Sequence, residues 1–470
     1  MKKFYGVLSI IINIFLILLL ILLYGSGQNF SDNISISIEL TSISFWLILY
    51  IMISMIIVGY KWSNFSFLFI SLFYIFTFGQ VLCKYFFKFI DKNLFDMSAA
   101  FSESLIQKAI LIGIYSLISM HLFAIIYKLL EQSKNVENKK NIDDFELNLV
   151  KKISYILFFV SFPFAIYELY NNLTLAYSGG YQAVYSNVQY GLSSIVSKIS
   201  PFFQVSLLLL IFANQKNRKT SFKWLMFSLA FNGISIVLGN RGLPILHFLS
   251  ALVLWDYMFK IPKKTIFLLI LLIIPLSAVI SLIRVVRETS VSEWISNFGQ
   301  LFVDAIGDNA FLKTINEMGT AIYPIAGSLH IYPNSLPFKY GKTFLYGLAT
   351  IVPNLSSGAH WAKVGSSVNV EVASIYGAAF GGSIVEEFYA NFNWIGCVLF
   401  LGFFVYIFNI LEKKCINSNK CIVTILFFAF LPDVLWTVRN NAAPLFKEFV
   451  WYIFSVYILY YFIKYRSCRK

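Results

Sequence analysis

Long apolar windows recur along nearly the whole chain, and this recurrence limits the fold before any other feature does. A hydrocarbon core about 30 Å thick takes roughly 20 apolar residues to cross as a helix. Windows of that kind fall near residues 4–24, 43–60, 65–83, 107–128, 153–170, 200–214, 222–239, 243–259, 265–284, 393–411, 421–438 and 447–463. The sequence therefore predicts an all-α polytopic membrane protein with about twelve transmembrane helices. The residue balance agrees, with 58% hydrophobic and only 13% charged residues, where soluble domains carry about a quarter charged residues.

The first window follows Met1-Lys2-Lys3, is too long for a signal-peptide core and lacks a small-residue cleavage site, so it reads as an uncleaved first span. The net charge of +14 would suit a nucleic-acid binder, but its distribution is a topology signal. With both termini cytoplasmic, about 23 of the 37 lysines and arginines fall at cytoplasmic ends and loops, as the inside bias of basic residues requires. No nucleic acid is expected as a partner. The cysteines, Cys83, Cys397, Cys415, Cys421 and Cys468, form no CxxC pair, so neither a disulfide framework nor a zinc site is implied.

Three segments follow from the spacing of the windows. Residues 1–284 hold about nine spans, 285–392 form a large external loop and 393–470 hold about three more. A link of such length is usually functional. Within it, Trp294, Phe298, Leu301, Phe302, Ile306, Phe311 and Ile315 repeat at helical spacing, which predicts amphipathic helices along the membrane face. The next stretch, "YPIAGSLHIYPNSLPFKYGKTFLYG", carries Pro324, Pro333 and Pro337 and predicts turns rather than a long helix. On the cytoplasmic side, Lys128 to Lys152 mixes both charge signs and reads as a solvated loop. Its Asp143-Asp144 pair is no metal site, and a DxD pattern is missing throughout, so neither a metal nor another cofactor is expected. A second external segment, "YSGGYQAVYSNVQYG", sets tyrosines around Gly179-Gly180.

Arginine stands where the topology disfavours it. Arg218, Arg466 and Arg469 fall inside, whereas Arg241, Arg284, Arg287 and Arg439 fall outside, at or just beyond helix ends. A guanidinium is permanently charged and matches phosphate oxygens bidentately, so arginines gathered at the outer interface suit a lipid-linked phosphate or pyrophosphate. Arg241 in "GNRG" has glycines on both sides that allow close backbone approach. The plain alternative for each is a snorkelling cation at a helical hairpin. Lys342 in the external loop is a further candidate cation for substrate binding.

Among possible bases, His121 and His247 lie inside apolar windows and read as hydrogen-bonded interior residues, while His330 and His360 lie in the external loop. There a near-neutral pKa suits proton removal from a sugar hydroxyl. Glu317, Glu386 and Glu387 are the best-placed carboxylates, because "GGSIVEEFYANF" enters the membrane directly afterwards. A structural ion pair serves there as well as a catalytic group. Tyrosines of the outer segments could stack on sugars or form an ordinary aromatic belt.

The many-spanning layout, the large outer loop, "NRG" near mid-chain, "NEMG" at 316–319 and "GGSIVEEFYANFNWIG" before a late span together resemble the Wzy-type oligosaccharide repeat-unit polymerases of bacterial O-antigen and capsule assembly. The layout covers most of the chain, the motifs about a tenth of it. The resemblance implies a metal-independent glycosyltransferase of the bacterial cytoplasmic (inner) membrane. It would transfer the growing glycan from undecaprenyl pyrophosphate to an incoming lipid-linked repeat unit on the outer face. The lipid-linked oligosaccharide and the bilayer are the implied partners, and a chain-length regulator is left open as another. The family's external arginines carry over to Arg241 and, behind it, Arg284, Arg287 and Arg439. Its E-x-Y-x-N-F pattern falls on Glu387, Tyr389, Asn391 and Phe392. A glycine usually follows, and here Asn393 stands instead. Catalytic roles are thus expected for Arg241, Glu387 and His360, and substrate binding for Arg284, Arg287, Arg439, Tyr389, Asn391 and Lys342.

Two other readings compete. An O-antigen ligase also uses external arginines and a lipid pyrophosphate donor but delivers to a lipid A core. A flippase or solute transporter would place ionisable groups inside the spans, whereas here they cluster outside and the loop is too large for a gate, and no repeated halves are visible.

Overall fold

The computed structural model describes residues 2–25, 30–91, 96–132, 143–186, 192–237, 242–272, 299, 309–352, 362, 365–377 and 380–468. All regular structure among them is helical. Ten helices among the described residues are long and apolar enough to cross a membrane, and each overlaps one of the twelve predicted windows. Of the other two windows, 222–239 lies on helix Arg218–Val237, whose first two turns carry Arg218, Lys219 and Lys223. The window 265–284 opens as helix Lys263–Leu271 and then leaves the described residues.

The chain divides into two compact units, each assembled from separated stretches of sequence. The first comprises Met1–Asn138, Ile315–Lys414 and Thr437–Lys447. Its spans Phe65–Phe86 and Glu103–Glu131 are the most enclosed, at 78% and 83% buried, while Lys2–Tyr24 is only 22% buried. Polar side chains tie these spans together where apolar packing alone would let them slide. Glu412 accepts hydrogen bonds from the Phe65 backbone N–H at 3.1 Å and from Asn64 at 3.5 Å, which places a carboxylate at the N-terminus of helix Phe65–Val81. Ser66 donates to Asn409 at 2.8 Å. His121, fully buried, bonds Asn13 and Ser54 at 3.1 Å each, the interior role its apolar surroundings predict.

The part of 285–392 described in this unit is a chain of short helices, Ile322–Ile331, Lys342–Ala349 and Val368–Tyr376. Helix Ile322–Ile331 is buried at nine of its ten positions and packs against Phe65–Val81, Glu103–Gln132 and Ile384–Ile395. A segment apolar on every side belongs in a core and not on a surface. Its entry is set by a backbone crossing at "NEMG". A Cβ on Gly319 would lie 1.9 Å from the Gln80 nitrogen, and one on Gly79 would lie 2.4 Å from the Ile315 carbonyl oxygen. Only hydrogen at both positions lets the two chain segments touch.

The second unit comprises Lys139–Thr314, Cys415–Trp436 and Glu448–Lys470. Its longest helix, Asp144–Ser186, runs through Pro163 and on through Gly179-Gly180, beyond the predicted window 153–170. It packs on Phe202–Ala213 through a cluster that includes Phe158, Phe162, Phe203 and Trp224. Tyr460 and Lys464 both donate to Glu146, at 2.6 and 2.5 Å, fixing the C-terminal helix to the start of the long one.

Candidate active site

The segment "GGSIVEEFYANF" builds its geometry from a helix start. Ser383 is the N-cap of helix Ile384–Ile395, its hydroxyl accepting from the Val385 N–H at 3.3 Å, while Glu386 accepts from the Ser383 N–H at 3.0 Å. This reciprocal pair is a capping box. It uses Glu386 for the helix terminus and turns Glu387 inward, where its residue is 0% exposed.

Inside, the two oxygens of Glu387 are both engaged. Oε1 accepts from the Thr343 hydroxyl at 2.9 Å, and Oε2 accepts from the Ala442 backbone N–H at 2.6 Å. Asn391, one turn later on the same face, donates to Thr343 Oγ1 and to the Glu387 carbonyl, each at 2.7 Å. Its side-chain oxygen Oδ1 accepts from the Gly341 N–H at 2.8 Å. Three stretches far apart in sequence, 341–343, 387–391 and 442, are thereby joined, with no ion pair to Glu387 among the described residues. Burying a carboxylate is costly unless it is hydrogen-bonded, and here two donors supply that compensation.

Three residues before Ala442, Arg439 ends the turn that follows helix Cys421–Trp436. Its Nη1 donates to the carbonyls of Glu317 and Met318 at 3.4 and 3.3 Å, and its guanidinium lies 5.7 Å from the centre of the Phe76 ring. Those carbonyls lie where helix Ala310–Met318 passes into the tighter helical turn Gly319–Ala321. "NEMG" and Arg439 thus belong to one local arrangement.

Tyr389 is buried, donates to the Tyr332 carbonyl at 3.3 Å and stands edge-on to Phe338. Tyr332 in turn donates its hydroxyl to Glu371, whose other oxygen pairs with Lys339 at 2.5 Å. Burial, and then the Glu371 carboxylate, push the Tyr332 phenol well above its ordinary range, which keeps it a donor. His330 is exposed and bonds Tyr376 at 2.5 Å. Lys342 is exposed at the first position of helix Lys342–Ala349.

Of the residues singled out by sequence, the structure gathers Glu387, Asn391 and Tyr389 on one helix, with Arg439 on the loop that Glu387 holds. Arg241, Arg284, Arg287 and His360 lie outside the described residues. Among the described residues, no group of three or more His, Cys, Asp or Glu side chains stands ready to hold a metal ion. Sequence reasoning missed Thr343 and the Ala442 N–H. A backbone donor leaves no trace in a sequence, and Thr343 sits in an aromatic, glycine-rich stretch with no period to mark it.

The family model described as O-antigen polysaccharide polymerase Wzy matches residues 8–470. No curated protein and no solved structure matches the chain.

Proposed function

Because the chain belongs to the O-antigen polysaccharide polymerase Wzy family, we propose that it lengthens a bacterial surface glycan without nucleotide sugar or metal, using a donor linked to undecaprenyl pyrophosphate. The anomeric C–O bond to the pyrophosphate breaks, and a new bond forms to a hydroxyl of the incoming lipid-linked repeat unit. The hydroxyl proton passes to a base, and the pyrophosphate leaves with the bonding electron pair. The reaction belongs on the outer face of the cytoplasmic membrane, with both termini inside.

A pyrophosphate is already a good leaving group, so the protein must neutralise growing negative charge, orient two glycans and accept one proton. We assign the growing charge to Arg241 and the proton to His360, while Arg284, Arg287, Arg439 and Lys342 bind the phosphates of the lipid-linked substrate. Tyr389 and Asn391 shape the wall on the acceptor side. Glu387, buried with both oxygens engaged, acts in this reading as a positioning residue that fixes the loop carrying Arg439. What supports the reading above all is the family match across nearly the whole chain.

The test is a gel of surface polysaccharide from cells lacking the protein, complemented with wild type or with Arg241→Ala. The expected deletion phenotype is a single repeat unit in place of a ladder, restored by wild type and not by Arg241→Ala at equal protein level. An unchanged ladder in the deletion strain would overturn the reading for that polysaccharide. Loss of all polymer from the outer lipid, with long chains held on the carrier, would make the protein a ligase.

A further inference from the structure

Helix Lys342–Ala349 buries only two side-chain positions, Thr343 and Gly347, four residues apart and therefore on one face. Each is pinned to a different neighbour. At Gly347 a Cβ would come 3.1 Å from the Ala443 Cα, so backbone meets backbone there. At Thr343 the contact is polar, and it has a direction. The hydroxyl carries one proton. That proton goes to Glu387 Oε1, and the oxygen accepts from Asn391 Nδ2. Both amide protons of Asn391 are used, on Thr343 and on the Glu387 carbonyl, which settles which way its amide faces. Thr343 is 1% exposed, and Glu387 and Asn391 are 0% exposed, so no water competes for these bonds.

The residue next to this fixed point is Lys342, exposed at the first position of the helix. A long flexible cation is useful to a reacting anion only if its base is held. We propose that Thr343 is a positioning residue of the polymerase reaction, its hydroxyl locking helix Lys342–Ala349 to Glu387 and Asn391 so that Lys342 meets the anionic phosphate group of the lipid-linked substrate. The inference rests on the function proposed above. It gives Thr343→Val, which keeps the shape and removes the hydroxyl, an effect on substrate binding that passes through Lys342.

The experiment uses the full-length protein in nanodiscs with a lipid-linked repeat unit as substrate, and follows polymer formation for wild type, Thr343→Val, Thr343→Ser, Lys342→Met and the Thr343→Val/Lys342→Met pair. Thr343→Val is expected to raise KM about tenfold, as losing one charge-assisted contact does, with kcat changed less than about twofold. Thr343→Ser should restore KM, and the double variant should be no worse than Lys342→Met alone. If Thr343→Val does not purify folded, Thr343→Ala serves in its place. It removes the same hydroxyl and leaves Asn391 and Glu387 untouched, and should raise KM without adding to Lys342→Met. An unchanged KM in these variants, or losses that multiply in the double variant, would overturn the inference while leaving the function standing. A wild-type protein that forms no polymer from the lipid-linked unit would overturn the function and the inference with it.

Discussion

Asn393 adopts φ 60° and ψ −158° inside the run Ile384–Ile395, a region that costs a residue with a Cβ about 1–3 kcal/mol. Its side-chain oxygen accepts from the next N–H, of Trp394, at 2.7 Å, a local bond that offsets part of the cost. This is the position at which the resembled family usually carries glycine, and the backbone gives the reason: glycine reaches such angles freely. Asn393→Gly is therefore expected to stabilise the protein in detergent, and Asn393→Val to destabilise it, by about 1 kcal/mol or more in each direction, read as a higher and a lower melting temperature. Equal melting temperatures for the three proteins would remove the strain argument. At this scale the sequence was partly readable. Glu387 and Asn391 announce themselves by polarity at i, i+4 beside an apolar span, and Asn393 by its departure from a pattern. Thr343 and the Ala442 N–H did not, because their importance lies in contacts between stretches about 44 and 55 residues from Glu387, and periodicity reports only what one element does.

Elements were legible in proportion to their length. Each of the ten apolar helices overlaps a predicted window, since about 20 apolar residues admit few other conformations in lipid. The short helices between residues 322 and 376 were not, because eight to ten residues hold too few turns for a period to emerge. Helix Ile322–Ile331, buried almost all round, has no polar face to display one. What positions that helix is the crossing of Gly319 over Gly79 and Gln80, and the crossing sets how Phe65–Val81 sits against the segment that Arg439 binds. Gly319→Ala would bring a methyl 1.9 Å from the Gln80 nitrogen, which only backbone displacement can relieve. It should destabilise the protein by about 3 kcal/mol or more, with polymer formation lost alongside. Measured as a thermal shift, a fall of less than about 1 kcal/mol would show that the crossing is loose.

Over the whole molecule, the sequence reading followed chain order, with 1–284, 285–392 and 393–470 as successive segments, whereas the compact units interleave distant stretches. Long-range pairing of helices depends on which polar and small residues meet, such as Ser66 with Asn409 or Glu412 with the Phe65 N–H, and neither partner is marked in advance. The first unit unites "NEMG", "GGSIVEEFYANF" and Arg439, which are spread over residues 316–439. The proposed reaction joins lipid-linked repeat units. The most direct measurement supplies the purified protein in nanodiscs with undecaprenyl-pyrophosphate-linked repeat unit as the sole sugar source, and follows both glycan length and released undecaprenyl pyrophosphate. The account predicts a ladder of products, with one carrier pyrophosphate released for each linkage formed. Substrate that stays at one repeat unit, or a ladder that grows only when nucleotide sugar is added, would contradict it.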